Sequence, residues 1–462
     1  MIKIVFAVAG RAWQAAASRP RPAQFSRALA AAMLVVPLFC ASAFAQFAQQ
    51  GQKLVGPGGP TGGIADFGIS AALSNDGNTA AVGAPGSTMP GATVVFTRSG
   101  GVWTQQGSTL VGTRSIGSAT QGDSVALSAD GNTLIVGGTG DNNTYGAAWV
   151  FVRKNGVWTQ QAKLMGDDTT YCHPDLGSSV ALSADGNTAI VGGFYAGAPY
   201  HCYVGEALVF TRADDVWTLQ ASLVGSDYVG YSAQGDSVAL SADGNTAAVG
   251  GSGDNDGIGA VWVFTRRPDW RSRPLCRTCS VWTQQGSKLV GTDVLGSESA
   301  QGISVALSAA GDTLLVGGDY DNDAVGAAWV FTRSAGTWSQ QAKLVGSDYV
   351  GPPVDQGWRL ALSGDGNTAV IGGYYDNDKT GAVWVFTRSN GAWSQQGSKL
   401  DGSDAQAGPC GPVPCSAEQG LSVAVSGDGS TLLEGGPYDD DAYGAAWVFV
   451  DGSSPRLRPG RH

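Results

Sequence analysis

The chain of 462 residues holds 70 glycines and 14 tryptophans, is 43% hydrophobic and only 14% charged, and carries a formal charge of −11. Glycine at that level without a Gly-X-Y period excludes a collagen-like chain, and the apolar content excludes a disordered one and suffices for a large core. The acidic balance argues against nucleic acid and anionic membranes as partners.

Residues 1–45 differ in character from the rest. Lys3, Arg11, Arg19, Arg21 and Arg27 precede an apolar run over 28–39, followed by Ala43-Phe44-Ala45 and Gln46. This reads as a signal peptide with an Ala-x-Ala cleavage site, its basic region long enough that translation is expected to start further downstream. The run is too short to span a bilayer as a helix. Bulky Phe39 before Cys40 argues against a lipoprotein signal. Cleavage leaves 22 basic residues against 38 acidic ones, a mature charge of −16. The expected location is secreted, periplasmic or at the cell surface.

From 47 to 56 the chain reads Phe-Ala-Gln-Gln-Gly-Gln-Lys-Leu-Val-Gly, a segment that acquires meaning only beside the repeats C-terminal to it. The stretch 122–166 recurs along the chain, its opening glycine falling at Gly68, Gly122, Gly177, Gly235, Gly302, Gly357 and Gly420 in steps of 54, 55, 58, 67, 55 and 63 residues. Periods of this size with strand content point to propeller blades. Each unit predicts four short strands, in the second copy at 124–128, 133–136, 147–153 and 157–164, with no helical spacing. In the third of these, Ala147-Ala148-Trp149-Val150-Phe151-Val152, both faces are apolar. Such a strand is covered on both sides, as in blades packed around an axis.

Seven heads occur, and the seventh copy ends at Phe449-Val450 without the tail strand of type Val-Trp-Thr-Gln-Gln. The segment 47–56 matches that missing tail. The expected fold is therefore all-β, a seven-bladed β-propeller of four-stranded blades over 46–450, closed by the N-terminal strand completing the last blade, which removes exposed edges. Residues 451–462 read as a disordered tail.

The first copy shows Phe67-Gly68 at its head and Gly83-Ala84-Pro85 at the end of its second strand. This resembles the FG-GAP repeat, the blade unit of the integrin alpha-subunit propeller and of many secreted bacterial proteins. The resemblance extends in weakened form over the mature chain. Other heads are mostly Gln-Gly, and second strands end Gly-Gly, as at Gly192-Gly193 and Gly317-Gly318, which also looks somewhat like kelch repeats. The resemblance implies a binding or adhesion module for an extracellular protein. In the integrin family the hairpin joining the first two strands carries an Asp-rich calcium loop. Here Ser128-Ala129-Asp130-Gly131-Asn132-Thr133 supplies one aspartate and a glycine, which is what a tight turn needs, so those calcium residues do not carry over.

A second acidic cluster joins strands two and three. It includes Asp254 and Asp256, then Asp319, Asp321 and Asp323, then Asp376 and Asp378. Alternating aspartates offer the oxygen ligands calcium requires, although no glutamate follows at a fixed distance to complete a shell. The competing reading is a solvated turn whose side chains cap backbone groups.

Six cysteines follow the leader, and in an oxidising compartment they predict three local disulfides: Cys172 with Cys202, Cys276 with Cys279, and Cys410 with Cys415. His173 and His201 adjoin two of them, but adjacent ligands suit zinc poorly. Two tryptophan series, exemplified by Trp149 and Trp158, hold fixed positions in each copy and read as blade packing. Trp358 departs from the repeat at the second position of the sixth head, near the axis, and is the best single candidate for a ligand contact. Tyr228, Tyr231 and Tyr349 in blade connections come next. The insertion 267–280 carries Arg267, Arg271, Arg273 and Arg277, a positive knob on an acidic protein.

No catalytic constellation is recognisable, because the three histidines lack a partnered nucleophile and carboxylate and the carboxylates follow the repeat. The leading expectation is a monomeric binding module for an extracellular protein or glycan, without membrane insertion. A carbohydrate-binding lectin, with calcium assisting, is the alternative, and a hydrolase or lyase on the same face is the least supported.

Overall fold

The computed structural model describes residues 46–57, 65–86, 90–166, 173–196, 202–268, 280–406 and 416–452. The leader, the arginines beyond Arg267 in the basic insertion, residues 453–462, His201 and every cysteine after the leader except Cys202 lie outside them. Each of the three proposed disulfides therefore includes a residue outside the described ones.

Alternation and turn chemistry produce the same four strands seven times. In the second copy they run Ser124–Leu127, Thr133–Gly138, Ala147–Lys154 and Val157–Leu164, within two residues of the sequence-based bounds. Each copy forms one four-stranded antiparallel sheet whose strands follow chain order. Seven such sheets form a ring: this is a seven-bladed β-propeller. The seventh sheet is completed by Phe47–Gln49, which pairs antiparallel with Ala445–Asp451 in the register Phe47 with Asp451 and Gln49 with Phe449. Asp451, expected in the tail, is thus the last residue of the ring.

The closing segment is held by more than its ladder. Leu54 exchanges two backbone hydrogen bonds with Ala446, at 2.7 and 2.9 Å, and Lys53 forms an ion pair with Asp439, whose side chain is fully buried. Gln50 Oε1 accepts from Arg98 Nη1 and Trp103 Nε1 of the first blade, both at 3.2 Å. The same lock recurs around the ring, as where Arg153 donates to Gln106 at 2.8 Å and Trp158 donates to it at 3.1 Å. At six of the seven blade junctions a single glutamine in or just after the outer strand so ties its blade to a tryptophan of the next.

Core packing explains the rest of the consensus. Trp149, Trp262, Trp329, Trp384 and Trp447 are fully buried between blades, and each indole N–H has an acceptor, Thr113 O for Trp149 and Asp227 Oδ1 for Trp262. Gly112 is explained by this packing, since a Cβ there would lie 2.2 Å from the Trp149 ring. The Gln of the Gln-Gly heads is also structural: Gln121 receives a hydrogen bond from Gly112 N and donates to Gly112 O, capping the loop that leads in from the preceding blade.

One substitution runs against this core. At the fourth position of the second strand six blades hold Val82, Val136, Val191, Val249, Val316 and Ile371, whereas the seventh holds Glu434, fully buried with both carboxyl oxygens unpartnered.

Candidate functional site

The connections that lead into each inner strand and the loops joining second and third strands emerge on one face. Isolated parallel bridges, Gly91 to Gln121 and Gly326 to Gln356 among them, join these loops to the next blade's head. The opposite face carries the Ser-Asp-Gly hairpins, and these are filled by their own side chains. Asp130 Oδ1 accepts from Ser128 Oγ at 2.5 Å and Asn132 N at 2.9 Å, while Oδ2 accepts from Asn132 Nδ2 at 2.9 Å. Both oxygens serve the turn, so this hairpin does not fit a calcium loop.

The acidic loops on the connection face form five tight turns, at Asp141–Thr144, Asp254–Gly257, Asp321–Ala324, Asp376–Lys379 and Asp439–Ala442. No strand pattern announced these single turns. Each contains two successive left-handed residues, a conformation Asn and Asp tolerate best. The first aspartate is buried, not solvated. Asp254, Asp321 and Asp376 form ion pairs with Lys288 at 2.5 Å, Lys343 at 2.6 Å and Lys399, each from the fourth strand of the same blade or the segment just after it. Their second oxygens accept from Val229 N, Leu295 N and Val350 N at 2.7, 2.8 and 2.7 Å. A lysine ammonium thus sits where a cation would. Asp256, Asp323 and Asp378 are exposed left-handed residues without an ion pair among the described residues. Among those residues no three His, Cys, Asp or Glu side chains converge as a metal-ligand set.

The ring departs from sevenfold likeness at the axis. In six blades the first inner-strand residue is a serine whose hydroxyl donates to the next blade's head carbonyl, as Ser304 does to Gly357 O at 2.9 Å and Ser422 to Gly68 O at 2.7 Å. In the sixth blade that residue is Arg359. Its guanidinium lines an axial cavity of about 180 Å³ together with Asp236 and Asp123, donates to Trp358 O at 2.9 Å, and lies 5.0 Å from the Trp358 ring centroid.

Around Arg359 the connection face gathers carboxylates and aromatic rings. Asp319 and Tyr374 follow the Gly-Gly pairs of blades five and six, and Asp355 occupies a left-handed position three residues ahead of Trp358. Trp358 and Tyr374 have ring centroids 5.3 Å apart, Tyr374 and Tyr375 4.8 Å apart, and the Tyr374 hydroxyl donates to Asp355. Lys379 lies 4.5 Å from the Tyr375 centroid and 3.0 Å from Glu418. Burial, reinforced by the charge of Asp355, pushes Asp319 up to about 7. Burial likewise lifts Asp236 and Asp355 to about 6. Tyr374 is raised by burial and by Asp355. Asp123 and Asp236 are satisfied by Thr139 and Ser252, whereas Asp319 Oδ1 and Trp358 Nε1 are buried with no hydrogen-bond partner.

Trp358 precedes Arg359 at the start of the sixth inner strand, but the axial cavity is lined by Arg359 and by Trp358's counterparts Asp123, Ser178 and Asp236, not by Trp358 itself. Tyr231, 71% exposed, joins a run of rings with Tyr203 at 5.6 Å, Tyr203 with Tyr195 at 5.2 Å and Tyr195 with Phe194 at 4.2 Å. Tyr228 and Tyr349 are exposed on the same face, without a ring partner among the described residues. His173 Nδ1 donates to Asn143 O, 2.6 Å away, and its ring packs on Tyr145. Arg359, Asp236, Asp355 and Tyr374 were not singled out by sequence reasoning. Aligning the seven copies column by column would have found Arg359, the one residue that is not serine in its column.

Residues 338–386 match the family model of the FG-GAP repeat, a stretch that runs from the outer strand of the fifth blade through the third strand of the sixth and includes Trp358 and Arg359. The chain is a seven-bladed β-propeller that contains an FG-GAP repeat. No match is found among curated protein sequences. Among solved structures, the ring is similar to hydrazine synthase from Kuenenia stuttgartiensis, at 14% identity and a TM-score of 0.48 over 80% of this chain and 92% of that one. It is also similar to U3-55K, at 10% identity and a TM-score of 0.49 over 88% of this chain and 98% of that one. Among the described residues no helix is long and apolar enough to cross a membrane.

Proposed function

We propose that this FG-GAP propeller is an exported binding module that captures an extracellular protein or glycan on its connection face. The observation that carries the reading is the break in sevenfold likeness at Trp358-Arg359, on the face where the exposed tyrosines also collect. A rigid ring with one aberrant sector is built to present that sector, and irregular loops on a regular scaffold are where binding resides. The leader expected at 1–45 and the three expected disulfides would suit an oxidising destination. Calcium assistance rests on Asp256, Asp323 and Asp378, the carboxylates without an ion pair among the described residues.

Purified protein lacking residues 1–45, spotted against arrays of extracellular proteins and of glycans, tests the reading. Binding abolished by Tyr231→Ala with Trp358→Ala but kept by Lys154→Ala on the hairpin face supports it. Binding lost equally with the hairpin-face variant, or no binding to either array, removes it.

A glycan ligand is the second reading. It is favoured by the aromatic and carboxylate composition of the axial cluster, the combination that apolar sugar faces and their hydroxyls require.

A further inference from the structure

We infer that the axial cavity binds the free N-terminus of a peptide, its α-ammonium held by Asp123 and Asp236 and its first carbonyl oxygen by Arg359. The inference rests on the connection face being the binding face and names what the centre of that face takes.

The cavity, of about 180 Å³, is bounded by residues of all seven inner strands, Asp123, Asp236 and Arg359 among them. These three have bonding capacity left, whereas the inner-strand serines do not: Ser124 donates to Gly177 O and Ser237 to Gly302 O, as in the other blades that keep serine. Asp123 Oδ2 accepts from the Thr120 hydroxyl and from the backbone and hydroxyl of Thr139, while its Oδ1 takes no hydrogen bond among the described residues. Asp236 repeats the arrangement, with Ser252 N and Oγ on Oδ2 and nothing on Oδ1. Unlike Asp319 Oδ1, neither oxygen is closed off from solvent. Arg359 donates from Nη1 to Trp358 O, and its remaining N–H groups have no hydrogen-bond partner among the described residues.

Charge sets the sign of the ligand. Arg359 answers to Asp236 first and Asp319 second, and the charge of Asp123 also reaches Asp175. One guanidinium thus faces several carboxylates, and burial raises both Asp123 and Asp236, as it does acids without a full counter-ion. An anion would add to that excess, and a bare cation would leave Arg359 unused. The ligand that fits carries an ammonium with an uncharged acceptor close by. A peptide N-terminus has both, its carbonyl adjoining the Cα that bears the nitrogen. A lysine side chain has an ammonium on a four-carbon stem and no acceptor, and a free amino acid puts a further carboxylate into the cavity.

Position agrees with this chemistry. Asp123 and Asp236 hold the second place of heads two and four, at the connection-face end of the inner strands, and Arg359 stands one place further along in head six. In a ring of seven, the sixth sector lies across the axis from the second, so a ligand reaching from Asp123 to Arg359 spans the cavity. Ile69 and Ile303 give its first side chain an apolar wall. The cavity is smaller than a pocket for a drug-sized ligand, so it takes the end of a chain and not a folded loop. The other six blades keep serine in place of Arg359, so the site occurs once per ring.

The test is calorimetric titration of the protein lacking residues 1–45 with glycyl-, alanyl-, seryl- and leucyl-alanine amide, each with its amine free and with it acetylated. At least one free amine should bind saturably, and its acetylated form should not. Asp236→Asn, which keeps the shape and removes the charge, should weaken binding about tenfold. Arg359→Ser installs the residue six blades already use, so its melt should show a folded ring while affinity falls by a similar factor. The inference is overturned if no free amine binds, if acetylation leaves affinity unchanged, if Nα-acetyl-lysine amide binds as tightly, or if binding survives both substitutions. It is equally overturned if an extracellular protein or glycan captured on this face is not displaced by any of the amides and is kept by Asp236→Asn; that result would leave the binding-module reading standing, whereas a face that captures neither an amide nor any array member removes both.

Discussion

Glu434 offers the sharpest test of the core. It occupies a position that the other blades fill with Val or Ile, it is fully buried, and both carboxyl oxygens lack partners. Burial pushes its pKa well above the usual carboxylate range, with the charge of Asp401 adding to the effect. The protonated acid still leaves polar atoms unmatched, at a cost of about 1–3 kcal/mol. An acid whose folded pKa is raised contributes fully below its unfolded pKa and loses about 1.4 kcal/mol per pH unit above that value until the folded group ionises. Glu434→Val should therefore stabilise the ring by about 2 kcal/mol at pH 5, and the gain should widen as pH rises. With roughly 2.1 cal/mol/K per residue over about 400 residues, each kcal/mol moves the melting temperature by about 1.2 °C. Calorimetric melts at pH 5 and pH 8 are the assay, with Glu434→Gln as a control that keeps the shape and removes the titration. A Val variant that melts below the wild type, or one whose advantage is the same at both pH values, would refute the reasoning.

Other expectations rest on the same contacts. Deleting residues 46–56 strips the last ladder and leaves the buried Asp439 carboxylate without Lys53, a loss of at least about 3–5 kcal/mol, so the melt should fall by several degrees or the chain should not fold; an unchanged melt would rule out the closure. Lys343→Met leaves Asp321 buried and uncompensated and should cost a similar amount, measured by guanidinium unfolding, while the exposed pair Lys154–Asp215 should cost nothing measurable when broken. Asp319, Asp236 and Asp355 are raised to about 7, 6 and 6, so their contribution to stability is complete below about pH 4 and fades as pH rises through 6 to 7; Asp319→Asn should flatten that decline in melts taken from pH 4 to 8. A chelator should leave the melt of the hairpin-face turns unaltered, because Asp130 and its counterparts already spend their oxygens locally.

Blade number, strand order and closure were legible because they repeat. A strand apolar on both faces, such as Ala147–Lys154, has few homes other than a stack of sheets, and a tail missing at one end but present at the other has one explanation. The tryptophan series were legible for the same reason. The role of the loop aspartates was not: Asp254 and Asp321 look like calcium ligands until Lys288 and Lys343, in or just after the fourth strand, are brought beside them from 34 and 22 residues away, a distance local pattern does not report. The axial cluster was half legible. Trp358 breaks a column in an obvious way, but Asp236, Asp319, Asp355 and Tyr374 come from three blades and meet only because the ring converges there.

The strand at Phe47–Gln49 has a kinetic consequence. It is the first part of the ring to be synthesised, yet its partner at Ala445–Asp451 is the last, about 400 residues later. Loop closure on that scale is slow, and until it happens the seventh sheet keeps a bare edge. The seventh sheet therefore stays incomplete until the strand Ala445–Asp451 has been made and can meet the segment synthesised first.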